Sequence, residues 1–311
     1  MPRTKVLIIS DTHGFLLPPL PAADILLHAG DLTTNSWPSE YSKTFTYIAA
    51  HPAPLKIVIP GNHDRSLDAK FTAANPYTSA ARRADEVRAS AEQARALGIE
   101  LLLTDGLHNY TLPNGATFSI FVSPYTPHFG DWGFQYYTGK HTFDIPACDI
   151  VMTHGPPSGI LDEARVAWHR FEVEHAGCEK LLEAIKRAKP QVHCFGHIHE
   201  AWGAYMAHWG TDGEVDDQQS RYLQRYAWLQ PEKRKGPLTE EQKEKVDQFA
   251  KDKACVVDLA DGDDKIVPGQ QTLFVNAGMM DELGHLSKAP YLLDLMLPST
   301  AKATDGQIST S

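Results

Sequence analysis

The sequence predicts an α/β protein in which buried strands alternate with amphipathic helices. Eight short apolar runs, each four to seven residues long, recur along the chain and are rich in β-branched residues and leucine. Continuous apolar runs of this length are typical of strands that are buried on both faces. Helical patterns lie between several of the runs, and this alternation indicates a sheet covered by helices.

The predicted strands are taken in chain order. They are KVLIIS (5–10), DILLHA (24–29), LKIVIP (55–60), TFSIFVS (117–123), DIVMT (149–153), VHCF (192–195), TLFVNA (272–277) and YLLDLML (291–297). Two helices are predicted between them, over 79–98 and 177–190. Gly98 ends the first helix and Pro190 ends the second.

Residues 203–270 depart from this rhythm because they are dense in charge, Gln and Gly. We predict that they form an insertion, which contains a helix in PLTEEQKEKVDQFAKDK. Thr239 and Gln242 have the spacing of a capping box at the start of that helix. The last residues, 299–311, lack the apolar content that would offset the entropy of chain ordering, so we expect a disordered tail.

Composition limits the classes of partner. Lys and Arg total 29 against 39 Asp and Glu, which gives a net charge of -10, so duplex nucleic acid is not an expected partner. The four cysteines contain no CxxC pair, which indicates reduced thiols. The apolar runs are too short to cross a bilayer, so we expect a soluble cytoplasmic protein that makes no membrane contact.

Polar clusters directly follow five of the predicted strands. Loops at the carboxyl ends of strands line the ligand crevice of α/β sheets, so these clusters are expected to form one site. The candidates are Asp11 and His13 after the first strand, Asp31 after the second, Asn62, His63 and Asp64 after the third, His154 after the fifth, and His197 and His199 after the sixth.

The ligand types predict a divalent metal site. Carboxylate, imidazole and amide oxygen without thiolate suit Mn, Fe or Zn. Leaving His63 and Asp64 aside, the remaining candidates exceed what one ion needs. Two ions that share a bridging carboxylate would use them all, and such pairs catalyse in-line phosphoryl displacement.

Each fragment alone has an ordinary structural alternative. Asp11 or Asp31 can cap a helix, Asn62 can serve a turn, and paired histidines occur at surfaces. A structural zinc site that includes Cys178 and Cys194 fits no common ligand spacing. It is the ordered set of five matches that favours the metal site.

Two other groups are interpreted structurally. His28 lies inside an apolar strand, where packing or support of a ligand is expected. An aromatic cluster near the middle of the chain is interpreted as core, and it consists of Trp132, Phe134, Tyr136 and Tyr137. The alternative is that Tyr125 and the loop after it flank the site.

The motifs DTH, GD, GNHD, TH and GHIH, in this order and each after a strand, resemble those of the calcineurin-like metallophosphoesterase superfamily. The longer segments LLHAGDLT, SPYTPHFGDWGFQY, IVMTHGPPSGILD and FVNAG resemble its subfamily of metallophosphoesterase-domain proteins named after mammalian fetal-brain proteins. The resemblance spans residues 5–202 and 272–297. It implies a four-layer α/β/β/α sandwich and one phosphoesterase domain over 1–298.

The resemblance also implies roles for the candidates. One ion would be held by Asp11, His13 and His199, and the other by Asn62, His154 and His197. Asp31 would bridge the two ions. His63 would assist the leaving oxygen while a metal-bridging hydroxide attacks phosphorus, and Asp64 would orient His63.

The expected activity is therefore hydrolysis of a small phosphate ester. The resemblance favours phosphodiesters, with cyclic nucleotides as a candidate class. A phosphomonoesterase or a Ser/Thr protein phosphatase is the alternative within enzymes. A weakly active nucleotide-binding or interaction module on the same fold is the alternative outside them. The oligomeric state and the identity of the metals stay open.

Overall fold

The computed structural model describes two mixed sheets that are packed face to face and covered by helices on their outer faces. The described residues are 1–165, 173–225, 237, 239–281 and 283–299.

The first sheet holds both ends of the chain. In spatial order its strands are β15 (Cys255–Asp258), β17 (Tyr291–Met296), β1 (Arg3–Ile9), β2 (Ile25–His28), β3 (Leu55–Val58) and β4 (Ile99–Leu101). Strands β1 to β4 run parallel, whereas β17 pairs with β1 in the antiparallel direction and β15 runs parallel to β17.

The second sheet has a parallel centre with antiparallel edges. In spatial order its strands are β14 (Arg221–Arg225), β13 (Gly203–His208), β16 (Gln271–Asn276), β12 (Val192–Phe195), β9 (Ile150–Thr153), β6 (Thr117–Ser123) and β5 (Gly106–Thr111). Strands β6, β9, β12 and β16 run parallel, and β5, β13 and β14 extend the sheet at its two sides.

Two short strand pairs and the helices complete the described elements. The pairs are β7 (Thr126–Pro127) with β8 (Gln135–Tyr136), and β10 (Glu163–Arg165) with β11 (Val173–His175). The helices are α1 (Pro38–Ala50), α2 (Ala69–Ala74), α3 (Ser79–Arg82), α4 (Ala84–Ala96), α5 (Glu179–Ala188) and α6 (Glu240–Asp252), with 3₁₀ turns at Arg65–Leu67 and His199–Ala201.

The buried apolar residues within the described ranges form three cores, as a four-layer sandwich requires. Successive side chains of β1 point to opposite faces, so Val6 and Ile8 pack between the two sheets while Leu7 and Ile9 pack under the helices. Helices α1 and α4 cover that outer face of the first sheet. Helix α5 covers the outer face of the second sheet. Its Leu181 belongs to the third core, which lies between the helix and that sheet. The predicted α/β/β/α fold is therefore confirmed.

The eight predicted strands are all present, with ends that differ by one or two residues in most cases. The predicted helix over 79–98 is divided into α3 and α4 because Arg83 leaves the helical conformation (φ -106°, ψ 0°). The predicted capping box is confirmed. The Thr239 hydroxyl accepts the amide of Gln242, whose side chain accepts the Thr239 amide.

The 203–270 region was predicted as an insertion, yet its described residues also pair with the sheets. Strand β13 lies beside β16 over its whole length, and β15 adds an edge to the first sheet. Helix α1 was not predicted from the sequence. None of the helices in the described ranges has the length and apolar content needed to cross a membrane.

The predicted tail begins at the edge of what the structure describes. Ser299 forms an isolated bridge with Ala116. The rest of the predicted tail, 300–311, lies outside the described residues.

The contribution of β15 to the core can be measured with one pair of variants in the same strand. Val257 is 5% exposed between the sheets and Val256 is 41% exposed. Val257→Ala should lower the free energy of unfolding by about 2 kcal/mol, because it removes buried methyl groups and leaves a cavity. Val256→Ala is the control, and urea unfolding measures both. Equal effects would show that β15 does not contribute core.

Candidate metal centre

The predicted ligands meet where strands of both sheets end. Loops after β1, β2 and β3 bring residues from the first sheet, and loops after β9 and β12 bring residues from the second. Ser10 and Gly278 form an isolated parallel bridge at this junction, so the two sheets are joined directly beside the site. The carboxyl ends of parallel strands thus converge on one volume, as expected for this class of sheet.

The loop backbone is tightly constrained. The Asp11 amide donates to the Gly30 carbonyl at 2.9 Å, and the His13 amide donates to the Asp31 carbonyl at 3.0 Å. Asp11, His13, Asp31 and His197 all have positive φ values, between 47° and 67°. Non-glycine residues adopt this conformation at an energetic cost, and such residues cluster at functional sites.

One group of potential ligand atoms belongs to Asp11, His13 and His199, whose atoms lie within 4.8 Å of one another. His199 Nε2 is 3.3 Å from Asp11 Oδ1 and 3.4 Å from His13 Nε2. This is the set that the resemblance implies for the first ion.

A second group belongs to Asp31, His154 and His197. Asn62 completes it, since its Oδ1 lies 2.9 Å from His154 Nε2. The rings of His154 and His197 are 5.0 Å apart. The structure therefore brings together all the residues that the resemblance implies for the second ion.

Asp31 lies between the two groups, with one carboxylate oxygen toward each. Its Oδ2 is 3.7 Å from His13 Nε2, and its Oδ1 is 3.4 Å from His154 Nε2. The same Oδ1 accepts the amide of His63 at 2.9 Å. This placement is the one that a bridging carboxylate requires.

The chemistry of the donors fits a bound cation. His13 Nδ1 is 3.2 Å from the Thr33 carbonyl and His154 Nδ1 is 2.9 Å from the Ala29 carbonyl, and a carbonyl can only accept. Each Nδ1 must therefore carry a proton, so Nε2, on the side of Asp31, is in each ring the nitrogen that a cation can bind. Ring nitrogens and carboxylates that converge in a buried space need positive charge between them.

The electrostatics of the second group show the same demand for positive charge, which a proton on His154 Nε2 or a bound cation can meet. Burial lowers the pKa of His154, but the charge of Asp31 and their hydrogen bond outweigh burial and raise it to about 9. Burial raises the pKa of Asp31, yet the nearby charges of His154 and His63 hold it well below its usual value. The Asp31 carboxylate thus attracts positive charge strongly.

The pKa values of His197 and Asp11 are shifted as well. Burial lowers the pKa of His197 to about 3, so its imidazole is neutral and can act as a ligand. Burial raises the pKa of Asp11, but the hydrogen bond and charge of His199 lower it overall. The Asp11 carboxylate also accepts the His197 amide, with both oxygens within 3.1 Å.

Gly196 allows this close approach. A Cβ atom added at Gly196 would overlap with Asp11 Oδ2 and with the Ser10 side chain. Any larger residue would push the GHIH loop away from Asp11.

His63 stands beside the two groups. One of its ring nitrogens lies within 4.8 Å of ligand atoms of His13 and Asp31. Its Nδ1 is 2.9 Å from the Thr34 carbonyl and must donate to it, so Nε2 is the nitrogen free to move a proton. The ring also stacks on Trp132, with centroids 4.1 Å apart.

The prediction that Asp64 orients His63 is wrong. The partner of His63 Nδ1 is the Thr34 carbonyl, and the Asp64 carboxylate points into the loop instead. It is fully buried and accepts from the Gly61, Leu32 and Thr33 amides and from the Thr33 hydroxyl. Asp64 therefore fixes the loops after β2 and β3 relative to each other.

Sequence reasoning missed some supporting residues. Asn276 donates to the carbonyls of Leu161 and Ile198 and so anchors the GHIH loop. The Lys288 ammonium donates to the carbonyls of His199 and Met280. Asn276 stood in the quoted FVNAG segment, whereas no pattern marked Lys288.

His28 has the supporting role that was expected. Its Nε2 is 2.9 Å from the Thr12 hydroxyl, and burial lowers its pKa to about 3, so it packs as a neutral imidazole below the site. The aromatic residues after β6 were interpreted as core. That interpretation is confirmed for Phe134, but Trp132 is half-buried and Tyr137 is exposed.

The profile described as Calcineurin-like phosphoesterase matches residues 4–201. The chain belongs to this family. The match contains all the residues of both ligand groups.

Individual relatives agree with this assignment. Metallophosphoesterase domain-containing protein 1 of Homo sapiens is 34% identical over 210 residues, which is 64% of this chain and 62% of that protein. The protein of the same name from Mus musculus matches equally. A UPF0046 protein of Caenorhabditis elegans is 31% identical over 220 residues, 65% of this chain and 66% of that protein. The chain thus spans about 62% of the length of the mammalian relatives it matches.

The corrected role of Asp64 can be tested by Asp64→Asn. Donors reach both oxygens of the Asp64 carboxylate, whereas an asparagine amide has only one accepting oxygen. Because each unsatisfied buried donor costs about 1–3 kcal/mol, the free energy of unfolding should fall by roughly 2–5 kcal/mol. Asp85→Asn on the exposed face of α4 is the control. A variant that unfolds like the wild-type protein but turns over slowly would restore a direct role toward His63.

Proposed function

We propose that this chain is a dinuclear metal-dependent phosphoesterase that hydrolyses phosphodiesters. The observation that carries the proposal is the position of Asp31, whose two oxygens face two separate groups of buried ligands. A single ion would leave one of these groups without a positive charge to satisfy it. Two divalent ions, Mn, Fe or Zn, satisfy both groups.

The proposed ligands divide as the resemblance implies. Asp11, His13 and His199 would hold one ion. Asn62, His154 and His197 would hold the other, and Asp31 would be shared. When bound, such ions polarise the phosphoryl oxygens and lower the pKa of water so that it can attack at neutral pH.

The protein itself supplies orientation and a proton. The carbonyls of Thr33 and Ala29 fix the ligand imidazoles. The Thr34 carbonyl does the same for His63, whose Nε2 is then the atom that gives a proton to the leaving oxygen.

Charge favours a diester over a monoester. Two divalent ions, set against Asp11, Asp31 and one hydroxide, leave about one positive charge, which matches the single negative charge of a phosphodiester. Cyclic nucleotides are a candidate class within the diesters. We also propose a cytoplasmic location, which is consistent with four free cysteines.

The proposal is tested with chelated protein to which Mn, Zn or Fe is returned. We expect two bound ions per chain by elemental analysis and restored hydrolysis of bis-p-nitrophenyl phosphate. Asp31→Asn should lose both ions and the activity together. Preference for p-nitrophenyl phosphate would indicate a phosphomonoesterase or a protein phosphatase. Binding of a nucleotide without restored turnover of either ester would favour the interaction module.

His63→Ala tests the proton donor. Turnover of diethyl phosphate, whose alkoxide must be protonated to leave, should fall by about 10² to 10⁴. Turnover of bis-p-nitrophenyl phosphate should fall much less, because nitrophenolate leaves without a proton. Ion content should not change.

The control for this variant is His285→Ala, which alters a largely exposed surface histidine. Parallel loss of ions and of both activities in His63→Ala would contradict the assigned role, since it would make His63 a ligand.

A further inference from the structure

A cleft of about 750 Å³ opens beside Trp132, the residue whose ring packs against His63. Its volume lies within the usual range of small-molecule sites. Aromatic side chains form much of its wall, among them Phe71, Tyr125, Trp132, Tyr136 and Tyr137.

Trp132 connects this cleft to the candidate centre. Its ring stacks on His63 at 4.1 Å with an interplanar angle of 32°, and the same residue lines the cleft. The Arg65 guanidinium lies 5.0 Å from the Trp132 ring, within the range of a cation–π contact. His13 approaches His63 edge-on, with centroids 4.8 Å apart. The His63 ring is therefore held between the ligand group and Trp132.

The loop that carries Trp132 is fastened to the loop that carries His63. The Gly133 amide donates to the Asn62 carbonyl at 3.0 Å, and the Phe134 amide donates to Asp68 Oδ2 at 2.6 Å. A Cβ atom at Gly133 would lie only 3.0 Å from Arg65 Cα, so the two backbones approach as closely as glycine permits. These contacts fix Trp132 relative to His63.

We propose that Trp132 is a positioning residue for His63, and that the cleft it borders receives the leaving group of the phosphodiester, an alcohol that carries a planar ring. This inference rests on the proposed function, and in particular on His63 as the proton donor.

The chemistry places the leaving group on this side. Hydrolysis breaks the bond between phosphorus and the leaving oxygen and forms a bond between phosphorus and the oxygen of water. The electron pair of the broken bond stays on the leaving oxygen, which takes a proton from His63 Nε2. The attacking water gives up a proton that restores His63. The leaving oxygen must therefore lie beside His63, and its substituent extends past Trp132, away from the metal ligands.

The lining of the cleft indicates a planar ring. Aromatic faces stack favourably on flat ligands.

Three diesters distinguish the positioning of His63 from the recognition of the leaving group's ring. In bis-p-nitrophenyl phosphate the leaving group has a ring and needs no proton. In dibenzyl phosphate it has a ring and needs a proton, and in diethyl phosphate it needs a proton and has no ring. The metal-loaded wild-type protein should prefer dibenzyl to diethyl phosphate by at least about 10-fold in kcat/KM.

Trp132→Ala should lower kcat for dibenzyl phosphate by about 10² while kcat for bis-p-nitrophenyl phosphate changes by less than about 3-fold, because only the proton-dependent step needs an oriented imidazole. KM for both ring-bearing esters should rise, and the preference for dibenzyl over diethyl phosphate should vanish. Trp132→Phe should restore most of both effects. The ion content, measured by elemental analysis, should equal that of the wild-type protein.

The control is Trp37→Ala, which removes a more exposed tryptophan that contacts Arg83 and does not line the cleft. Equal loss on all three esters in Trp132→Ala, or no loss on any, would overturn the inference while the wild-type activity still supported the proposed function. Failure of the metal-loaded wild-type protein to hydrolyse any of the esters would overturn the proposed function and this inference with it.

Discussion

The structure depends on two carboxylates that are buried where the two sheets join. Asp11 is 0% exposed and Asp31 is 2% exposed, and a buried charge without compensation is strongly unfavourable. Backbone amides of His197 and His63 compensate part of it. Imidazoles from both sheets surround the rest. The positive charge that these groups still require is what makes the site a cation site, so the position of every other ligand follows from these two side chains.

Rigidity is the second condition. Asp11 and Asp31 both lie in the left-handed backbone region, and this conformation is retained because neighbouring loops hydrogen-bond to each other across the strand ends. Asp64 contributes from below by collecting donors from two loops. The cost of the strained backbone is thus offset by contacts that have no direct part in the chemistry. A site fixed in this way can hold ligands at set positions before any ion binds.

The strands could be predicted because buried parallel strands leave an unmistakable apolar pattern. Strands β14 and β15 were missed for the opposite reason. They lie at sheet edges, so exposed and buried positions alternate or mix, and Arg221 and Val256 face solvent. The continuous helix predicted before β4 was interrupted at Arg83, where no glycine or proline marks the change. Edge position and local geometry depend on neighbours that are distant in sequence.

The sequence by itself determined the family, the positions of eight strands along the chain and the candidate ligands, because metal chemistry restricts residue type and because each candidate directly follows an apolar run. Only the tertiary structure decided how the imidazoles are oriented. His63 is fixed by the Thr34 carbonyl and by the Trp132 ring, and Asp64 serves the loop rather than His63. A backbone carbonyl is present at every residue, so nothing in the sequence indicates which one will face an imidazole. That direction is set only when strands from both sheets have packed together.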